Sequence, residues 1–344
     1  MKLNKQRGVS LVELMVAITI GLILMAGVLS IFLSSKVTYF ANEKIARLQE
    51  NGRVALDLVM HDVRSAGYMG CARAVPFTST LNTPTSLLWN YEIPLQGFEA
   101  SGAGAWTPAL GAGVLNPAPI NDSDVVVARA LQRDGRAMRV EVDVGALNGT
   151  PAVLDNTNVT AGTVMMITDC TASSVFQVTG YGAGAPNGLV MHAATGANPG
   201  NATDDLGYLY TAGARIAPLQ TVVYYVANDP VSGEPGLYRQ TGNVQPADLL
   251  VEGVQALQIA YAEDTNGDRV ADLYRSADNV ANWDNVLSVT ISMLIRSDEE
   301  GTDVDSNTYD LLPALVGGKT LGPYNDRRMR MVFTTTIALR NRAI

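Results

Sequence analysis

The sequence is short of cysteine, histidine and catalytic motifs, and each shortage removes a class of function. Its 344 residues include 2 cysteines and 2 histidines. The cysteines, Cys71 and Cys170, lie about a hundred residues apart, which excludes the closely spaced pairs of zinc and redox sites. The motifs GxSxG, GxGxxG, HExxH and the P-loop are also missing, so no enzyme signature is present.

Basic residues are outnumbered by acidic ones. Lys and Arg number 24 against 33 Asp and Glu, for a formal net charge of −9. A nucleic-acid partner requires a concentrated basic surface, so this balance argues against one. One basic cluster, Arg327, Arg328 and Arg330, lies near the C-terminus. Its flanks have the pattern of a strand, which favours a solvated sheet edge over a polyanion site.

One long apolar run dominates the N-terminal region. Residues 9–33 form a 25-residue run with a single charge, Glu13. The 20 residues of 14–33 contain no charge and no proline, and as a helix they span about 30 Å, the hydrocarbon thickness of a bilayer. A secretory signal would have a shorter apolar core. An uncleaved anchor explains all of this except Glu13, because a charge inside such a run costs about 3 kcal/mol near the bilayer centre.

The helical pattern continues beyond the apolar run. No proline precedes Pro76, and residues 36–66 keep one apolar face at helical spacing. That face consists of Ile45, Leu48, Ala55, Val59 and Val63. The pattern predicts one helix from Val9 to about Ala66, with Gly67 as its stop. The alternative is two helices separated near Lys36 or Gly52.

Beyond Gly67 the pattern changes to short β-rich runs between Gly, Pro, Asn and Asp. The runs are 124–130, 138–144, 163–169, 174–179, 221–227, 254–262, 286–296 and 331–339. Such runs predict a body built on antiparallel sheet. The intervals 97–119 and 180–201 are rich in Gly, Ala, Pro and Asn, and this composition predicts long loops.

The segment DTNGDRVAD, residues 264–272, places oxygen atoms at alternating positions. The candidate calcium ligands are Asp264, Asn266, Asp268, Asp272 and the backbone carbonyl of Val270. Calcium requires six to eight such oxygens, and the segment resembles the first part of an EF-hand loop. Arg269, however, stands where that loop turns on glycine. The alternative is a β-hairpin whose turn is formed by Asn266 and Gly267.

The N-terminal residues carry a family resemblance. GVSLVELMVAITIGLILMAG, residues 8–27, resembles the prepilin signature, in which a glycine precedes an apolar stretch with glutamate at its fifth position. The resemblance implies that a prepilin peptidase cuts the bond between Gly8 and Val9 and that the new amine is N-methylated, although phenylalanine is more common at the position of Val9. Glu13 would then lie one helical turn from a cationic amine. We expect it to act in assembly, paired with this amine or with that of a neighbouring subunit.

Four further stretches, 51–71, 249–264, 284–297 and 327–342, resemble the PilW minor pilins and, more distantly, the minor pseudopilin J of type II secretion. The fold implied is α+β and type IV pilin-like, with a long N-terminal helix on an antiparallel β-rich body. Residues 1–8 would be the leader, 9–67 the helix, transmembrane over about 9–33, and 68–344 the globular body.

The function implied by the resemblance is that of a minor pilin, not an enzyme. Such a protein primes type IV pilus assembly and lies at or near the pilus tip, supporting twitching motility and adhesion. The alternative is a minor pseudopilin of a type II secretion system. Expected partners are prepilin peptidase, other minor pilins, the major pilin, the inner-membrane assembly platform and a tip adhesin.

The implied location is the inner membrane with the body in the periplasm, and then the cell-surface pilus. Export decides the state of the two cysteines. In an oxidising compartment Cys71 and Cys170 are expected to form a disulfide, whereas otherwise they would be two buried thiols. Calcium is the one cofactor that the sequence suggests.

Overall fold

The computed structural model describes residues 9–72, 75–102, 104–132, 137–153, 159–182, 188–301 and 304–341. The predicted leader, including Gly8, lies outside this part. One long helix precedes a β-rich body whose sheets are mainly antiparallel, which confirms the predicted α+β class. The helix α1 is Leu11–Ser65, and short 3-10 helices are Ala277–Asn279, Trp283–Asn285 and Ala314–Val316. The strands are β1 (Phe77–Ser79), β2 (Leu95–Gly102), β3 (Ala105–Thr107), β4 (Val125–Leu131), β5 (Met138–Arg139), β6 (Val164–Thr168), β7 (Ser173–Gln177), β8 (Gly180–Gly182), β9 (Leu189–Met191), β10 (Arg215–Asn228), β11 (Pro235–Thr241), β12 (Asp248–Glu252), β13 (Val254–Glu263), β14 (Leu273–Arg275), β15 (Val286–Arg296), β16 (Tyr309–Leu311), β17 (Lys319–Leu321) and β18 (Arg330–Ala338).

Helix α1 runs without a break, so the alternative of two helices is wrong. Gly52, where a bend was considered, lies buried in the middle of the helical second half. A Cβ added at Gly52 would lie 2.5 Å from the ring of Phe333 on β18. Gly52 therefore leaves room for the aromatic ring of Phe333 and does not act as a hinge. The helix ends at Ser65, and Gly67 adopts a left-handed backbone with φ of 78°, which suits a residue without a side chain.

The larger sheet is organised by β10. Residues 215–218 of this strand pair with β5 and β6, and residues 219–228 pair with β4 and β11. The sheet order is β1-β7-β6-β10-β4-β2-β3. The pair of β1 with β7 is parallel, unlike the other strand pairs of the described residues. One long strand thus joins two groups of strands.

The smaller sheet, in the order β14-β13-β15-β18, carries the helix. The buried face of α1 packs against this sheet and against β4 and β10 in one hydrophobic core. The helical side chains in this core are Leu48, Ala55, Val59 and Val63. They belong to the apolar face that the sequence spacing predicts. A second core, between Met138 and Ile216, lies around the other end of β10.

Arg129, on β4, is a buried cation that holds the strand against the preceding loop. Its Nη1 donates to the carbonyl oxygen of Ile93 at 2.5 Å, and its Nη2 donates to that of Leu87 at 2.5 Å. Burial lowers the pKa of the guanidinium to about 10, so Arg129 stays charged at neutral pH. Both carbonyl groups thus receive a hydrogen bond from this side chain.

Several sequence-based boundaries differ from the structure. The predicted loop over 97–119 is wrong where β2 and β3 lie, and that over 180–201 is wrong where β8 and β9 pair. The predicted strand over 138–144 is regular only at Met138–Arg139. The strand predicted over 221–227 begins six residues earlier, at Arg215.

Candidate assembly site at the helix N-terminus

Within the described structure, the first half of α1 has no covering partner. Every described residue from 9 to 40 is exposed, and burial on the body begins only beyond this point. Among the described residues α1 alone is long and apolar enough to cross a membrane, and none of its most apolar window is buried. An apolar helix that its own chain leaves uncovered needs a lipid or protein environment.

A polar constellation begins this apolar helix. Ser10 is the N-cap, and its Oγ accepts a hydrogen bond from the backbone N–H of Glu13 at 3.1 Å. Oε2 of Glu13 in turn accepts from the backbone N–H of Ser10 at 3.3 Å and from its Oγ at 3.3 Å. This reciprocal arrangement is a capping box. Glu13 is also an acidic side chain in the first turn, at the positive end of the helix dipole.

Ser10 is a site residue that the sequence analysis overlooked. The signal was present as serine followed three positions later by glutamate, immediately ahead of an apolar run, which is the capping-box pattern. Cleavage between Gly8 and Val9 would create a cationic amine on Val9, the residue directly before this cap. The helix start therefore places the Glu13 carboxylate and the position of the new amine within one turn.

The second half of α1 is fixed on the body by polar contacts as well as by the core. The Tyr224 hydroxyl of β10 donates to Oδ2 of Asp62 at 2.6 Å. Burial, reinforced by the Asp62 charge, raises the pKa of Tyr224, so the phenol stays a donor. Nearer the N-terminus of the helix, Nζ of Lys44 donates to the carbonyl oxygen of Glu300 at 2.5 Å. The exposed half of the helix thus projects from a fixed half.

Cys71 and Cys170 are joined in a disulfide with an S–S distance of 1.99 Å and a Cα–Cα distance of 5.1 Å. Cys71 lies six residues after the end of α1, and Cys170 lies in the turn between β6 and β7. The Asp169 carboxylate holds that turn, because Oδ1 accepts from the backbone N–H groups of Thr171 at 2.9 Å and Ala172 at 3.1 Å. The disulfide therefore connects the segment that follows α1 to the second hydrophobic core.

The segment 264–272 connects β13 to β14 as a hairpin. Its oxygens accept from the segment's own N–H groups: Oδ1 of Asp264 from Gly267 at 2.7 Å, and Oδ2 from Arg269 at 2.8 Å. Oδ2 of Asp272 accepts from the N–H of Thr265 at 2.8 Å. Within the described ranges, no group of three or more His, Cys, Asp or Glu is arranged to hold a metal. Calcium binding at Asp264, Asn266, Asp268, Val270 and Asp272 stays a prediction.

The C-terminal arginines do not form a polyanion site. Arg330 is buried, with Nη1 3.0 Å from Oδ2 of Asp305 and Nη2 2.5 Å from Oδ2 of Asp326. The guanidinium Nη2 of Arg328 lies 2.9 Å from Oε1 of Glu234. The expectation of a solvated edge is therefore wrong for Arg330, whose charge is neutralised inside the body. Arg327 is exposed, as expected.

Comparison with protein families identifies two regions of the chain. The prokaryotic N-terminal methylation motif matches residues 3–29, which include the capping box and most of the apolar run. The family profile of type IV pilus-assembly protein W matches residues 223–341, from the middle of β10 to the end of the described chain. A search of curated proteins finds no match.

The methylation motif implies processing by a prepilin peptidase and association with other pilins. Together with the exposed apolar helix it supports anchoring in a membrane followed by assembly into a pilus. The chain thus resembles the PilW family over residues 223–341 and carries a methylation motif at its N-terminus. Together these matches support a type IV pilus minor pilin, a structural component and not an enzyme.

Proposed function

We propose that this protein is a minor pilin that primes assembly of the type IV pilus and occupies a position at or near the tip. The proposal rests on one observation, which is that the two halves of a single helix have different surroundings. Its second half is built into the body, whereas residues 9–40 are exposed and begin with the Ser10 and Glu13 capping box. Such a helix can exchange a lipid environment for a bundle of similar helices without refolding.

The exposed length fits this exchange. Residues 9–40 extend for about 48 Å at the rise of an α-helix, and the bilayer core accounts for about 30 Å of this. The remaining length would pass through the headgroup region and reach the body. In a pilus the same length would pack against neighbouring helices, and its apolar side chains would leave lipid for protein.

Glu13 directs the exchange in this proposal. In the membrane its carboxylate can pair with the amine on Val9 released by cleavage. In a forming fibre it can pair with the amine of an adjacent subunit. Because water is scarce in both settings, an unpaired charge is costly and a correctly placed pair is favoured. The residue would thereby set the depth at which one subunit docks against the next.

The size of the body supports a place at the end of the fibre. The described body extends to residue 341 and contains a second core between Met138 and Ile216. A large body is accommodated more easily at a tip, where one side has no neighbour, than at every position of a repeating fibre. We propose that the body faces the periplasm before assembly, and the disulfide suits this oxidising compartment.

A clean deletion strain tests the function. We expect loss of surface pili and of twitching motility and adhesion, restored by the wild-type gene. The Glu13→Ala gene should restore much less, while a neutral control in the same helix, Thr19→Ser, should restore fully. Normal piliation in the deletion strain would refute the proposal.

The alternative, a pseudopilin of type II secretion, makes the opposite prediction for the same strain. Release of secreted proteins would fail while piliation and motility continued. Measurement of both phenotypes in one deletion strain therefore separates the two machines. Crosslinking from residues 9–40 in intact cells would then show whether the neighbours are other minor pilins, the major pilin or the assembly platform.

A further inference from the structure

The smaller sheet ends in a long, exposed edge strand. Strand β18 has nine residues and is the last in the order β14-β13-β15-β18. Among the described residues its ladder partner is β15 alone. Thr334, Thr336 and Ala338 are exposed, and Val332 is half-buried. An edge strand presents a row of unpaired N–H and C=O groups to which another strand can bind.

The register of the ladder shows which backbone groups of β18 are free. The N–H of Leu339 donates to the carbonyl oxygen of Leu287 at 2.9 Å, and the N–H of Ser297 donates to that of Met329 at 2.8 Å. Alternate residues of an antiparallel pair exchange hydrogen bonds, so the odd-numbered residues of 331–337 are bonded to β15. The even-numbered residues, 332, 334, 336 and 338, therefore direct their N–H and C=O groups away from the sheet. Within the described part of the chain, no backbone hydrogen bond outside the ladders involves these four residues.

This edge lacks the features that usually protect a strand from pairing. Residues 331–338 include no charged residue and no proline, and the register with β15 is free of bulges. The opposite edge of the same sheet, β14, is three residues long and ends in Arg275. Natural sheets protect their edges by short strands, charges, prolines or bulges. One edge of the smaller sheet is thus protected, whereas the other is open.

The open edge runs beside α1 and in the same direction. Gly52 faces the ring of Phe333, and further along both elements Nδ2 of Asn341 donates to the carbonyl oxygen of Ala66 at 3.3 Å. The advance from 52 to 66 is about 21 Å along a helix, and that from 333 to 341 is at most about 26 Å along an extended chain. A subunit whose helix packs beside α1 would therefore have its body beside this edge.

A second copy of this chain does not fit the edge. Two copies joined by antiparallel pairing of β18 would be related by a two-fold axis across the strands. Because α1 runs along β18, their helices would point in opposite directions, which one membrane or one fibre does not allow. Strand β14 of a second copy has the required direction, but its three residues would leave part of the edge unpaired. The strand that fits belongs to a different subunit.

The side chains beside the edge indicate the chemistry of that strand. Oγ1 of Thr336 lies 2.9 Å from Oγ1 of Thr290, and Oγ1 of Thr334 lies 2.9 Å from Oγ of Ser292. These cross-strand pairs form a row of hydroxyl groups on one face of the sheet. Thr, Ser or Val directly opposite Thr334 and Thr336 would extend this row, because such side chains pair favourably across strands.

We propose that the outer edge of β18 is a docking site for one extended, uncharged strand from the body of an adjacent, different pilin subunit. The strand adds to the smaller sheet in the antiparallel direction and bonds to the backbone of residues 332–338. This mode of recognition is β-augmentation, in which main-chain hydrogen bonds hold the partner and side chains select it. The inference rests on the proposed function, since it requires a neighbouring pilin whose helix lies beside α1.

Photo-crosslinking in intact cells tests the docking edge on an otherwise unchanged chain. A benzoylphenylalanine side chain at position 336 lies on the face of the sheet and leaves the backbone edge free. It should link to one protein that itself has a prepilin-type N-terminus, at a peptide in the body of that protein. The same label at Val231, which is 94 % exposed in the turn between β10 and β11, should not give this product. No product at position 336, a product with a second copy of this chain, or a link to the N-terminal helix of the partner would overturn the proposal.

A pair of variants tests whether the backbone makes the contact. Thr336→Pro removes an N–H that faces the outer edge and leaves the ladder with β15 intact, whereas Thr336→Val keeps this N–H. With the label moved to position 334, the crosslink yield should fall about fivefold or more in Thr336→Pro, the effect of one lost hydrogen bond. It should be unchanged in Thr336→Val. Equal yields in the two variants would reject the docking edge, while the loss of pili in the deletion strain would still support the proposed function.

Discussion

The contact between Gly52 and Phe333 gives a prediction about how the body is fixed on the helix. In an ordinary helix, replacement of glycine by alanine stabilises the fold by about 1 kcal/mol. At Gly52 the new Cβ would lie 2.5 to 2.6 Å from three ring atoms of Phe333. The ring must therefore tilt away from α1, and overpacking of this kind costs about 1–3 kcal/mol. We expect Gly52→Ala to be destabilising by about 1 kcal/mol, opposite in sign to the helix propensity.

Thermal unfolding of the full chain in detergent measures this effect. A loss of 1 kcal/mol lowers the melting temperature by about 2–4 °C in a large domain. Gly27→Ala is a matched control, because no atom lies within 4 Å of a Cβ at that position, and it should not lower the melting temperature. Truncation of the ring in Phe333→Ala should remove the penalty of Gly52→Ala in the double variant. Stabilisation by Gly52→Ala alone would contradict the close contact between Gly52 and the ring of Phe333.

Three other changes test separate parts of the structure. Arg129→Met leaves two buried carbonyl groups without their donor and should cost about 3 kcal/mol in unfolding experiments, whereas Arg139→Met, at an exposed position, should cost less than about 0.5 kcal/mol. An equal effect of the two would contradict the role of Arg129. Cys170→Ser should cost about 4 kcal/mol by opening a long loop, and Cys71→Ser in addition should cost little more; a stable single variant would contradict this. Calorimetry should detect calcium binding at residues 264–272 that is lost in Asp268→Asn, and no heat at millimolar calcium would remove the calcium prediction.

Local patterns were sufficient to predict the helix and the main strands. The apolar run and the spacing of Leu48, Ala55, Val59 and Val63 are local signals, and α1 contains both. The run over 286–296 is β15 as a whole. These elements are built from residues whose periodicity and propensity agree with their final position.

The elements that the sequence did not predict depend on distant partners. Strand β2 contains Gly97, a weak strand former, yet a Cβ at this position would lie 2.0 Å from the hydroxyl oxygen of Tyr261. The glycine is explained by the close approach of another strand. Strand β10 contains Pro218, which lacks an N–H group and normally ends a strand. Here it is paired with Met165 of β6 at the point where the strand passes from one group of partners to the other.

The polar and charged residues divide in the same way, into those that local sequence signals predict and those that depend on distant partners. Glu13 was predicted from its cost inside an apolar run, and Ser10 was available from the capping-box pattern. The burial of Glu99 on β2 and of Asp124 just before β4 was not predictable, because it arises only where the larger and smaller sheets meet. The ion pair of Arg330 with Asp305 is hidden for a similar reason, since the two residues are 25 positions apart.

The mass of the mature N-terminal peptide, isolated from cells that produce the full-length protein, tests the central claim most directly. A peptide that begins at Val9 with a methylated amine would place Glu13 one turn from a new positive charge, as the proposed assembly function requires. A chain that retains residues 1–8 would contradict the proposal, because Glu13 would then have no amine to pair with.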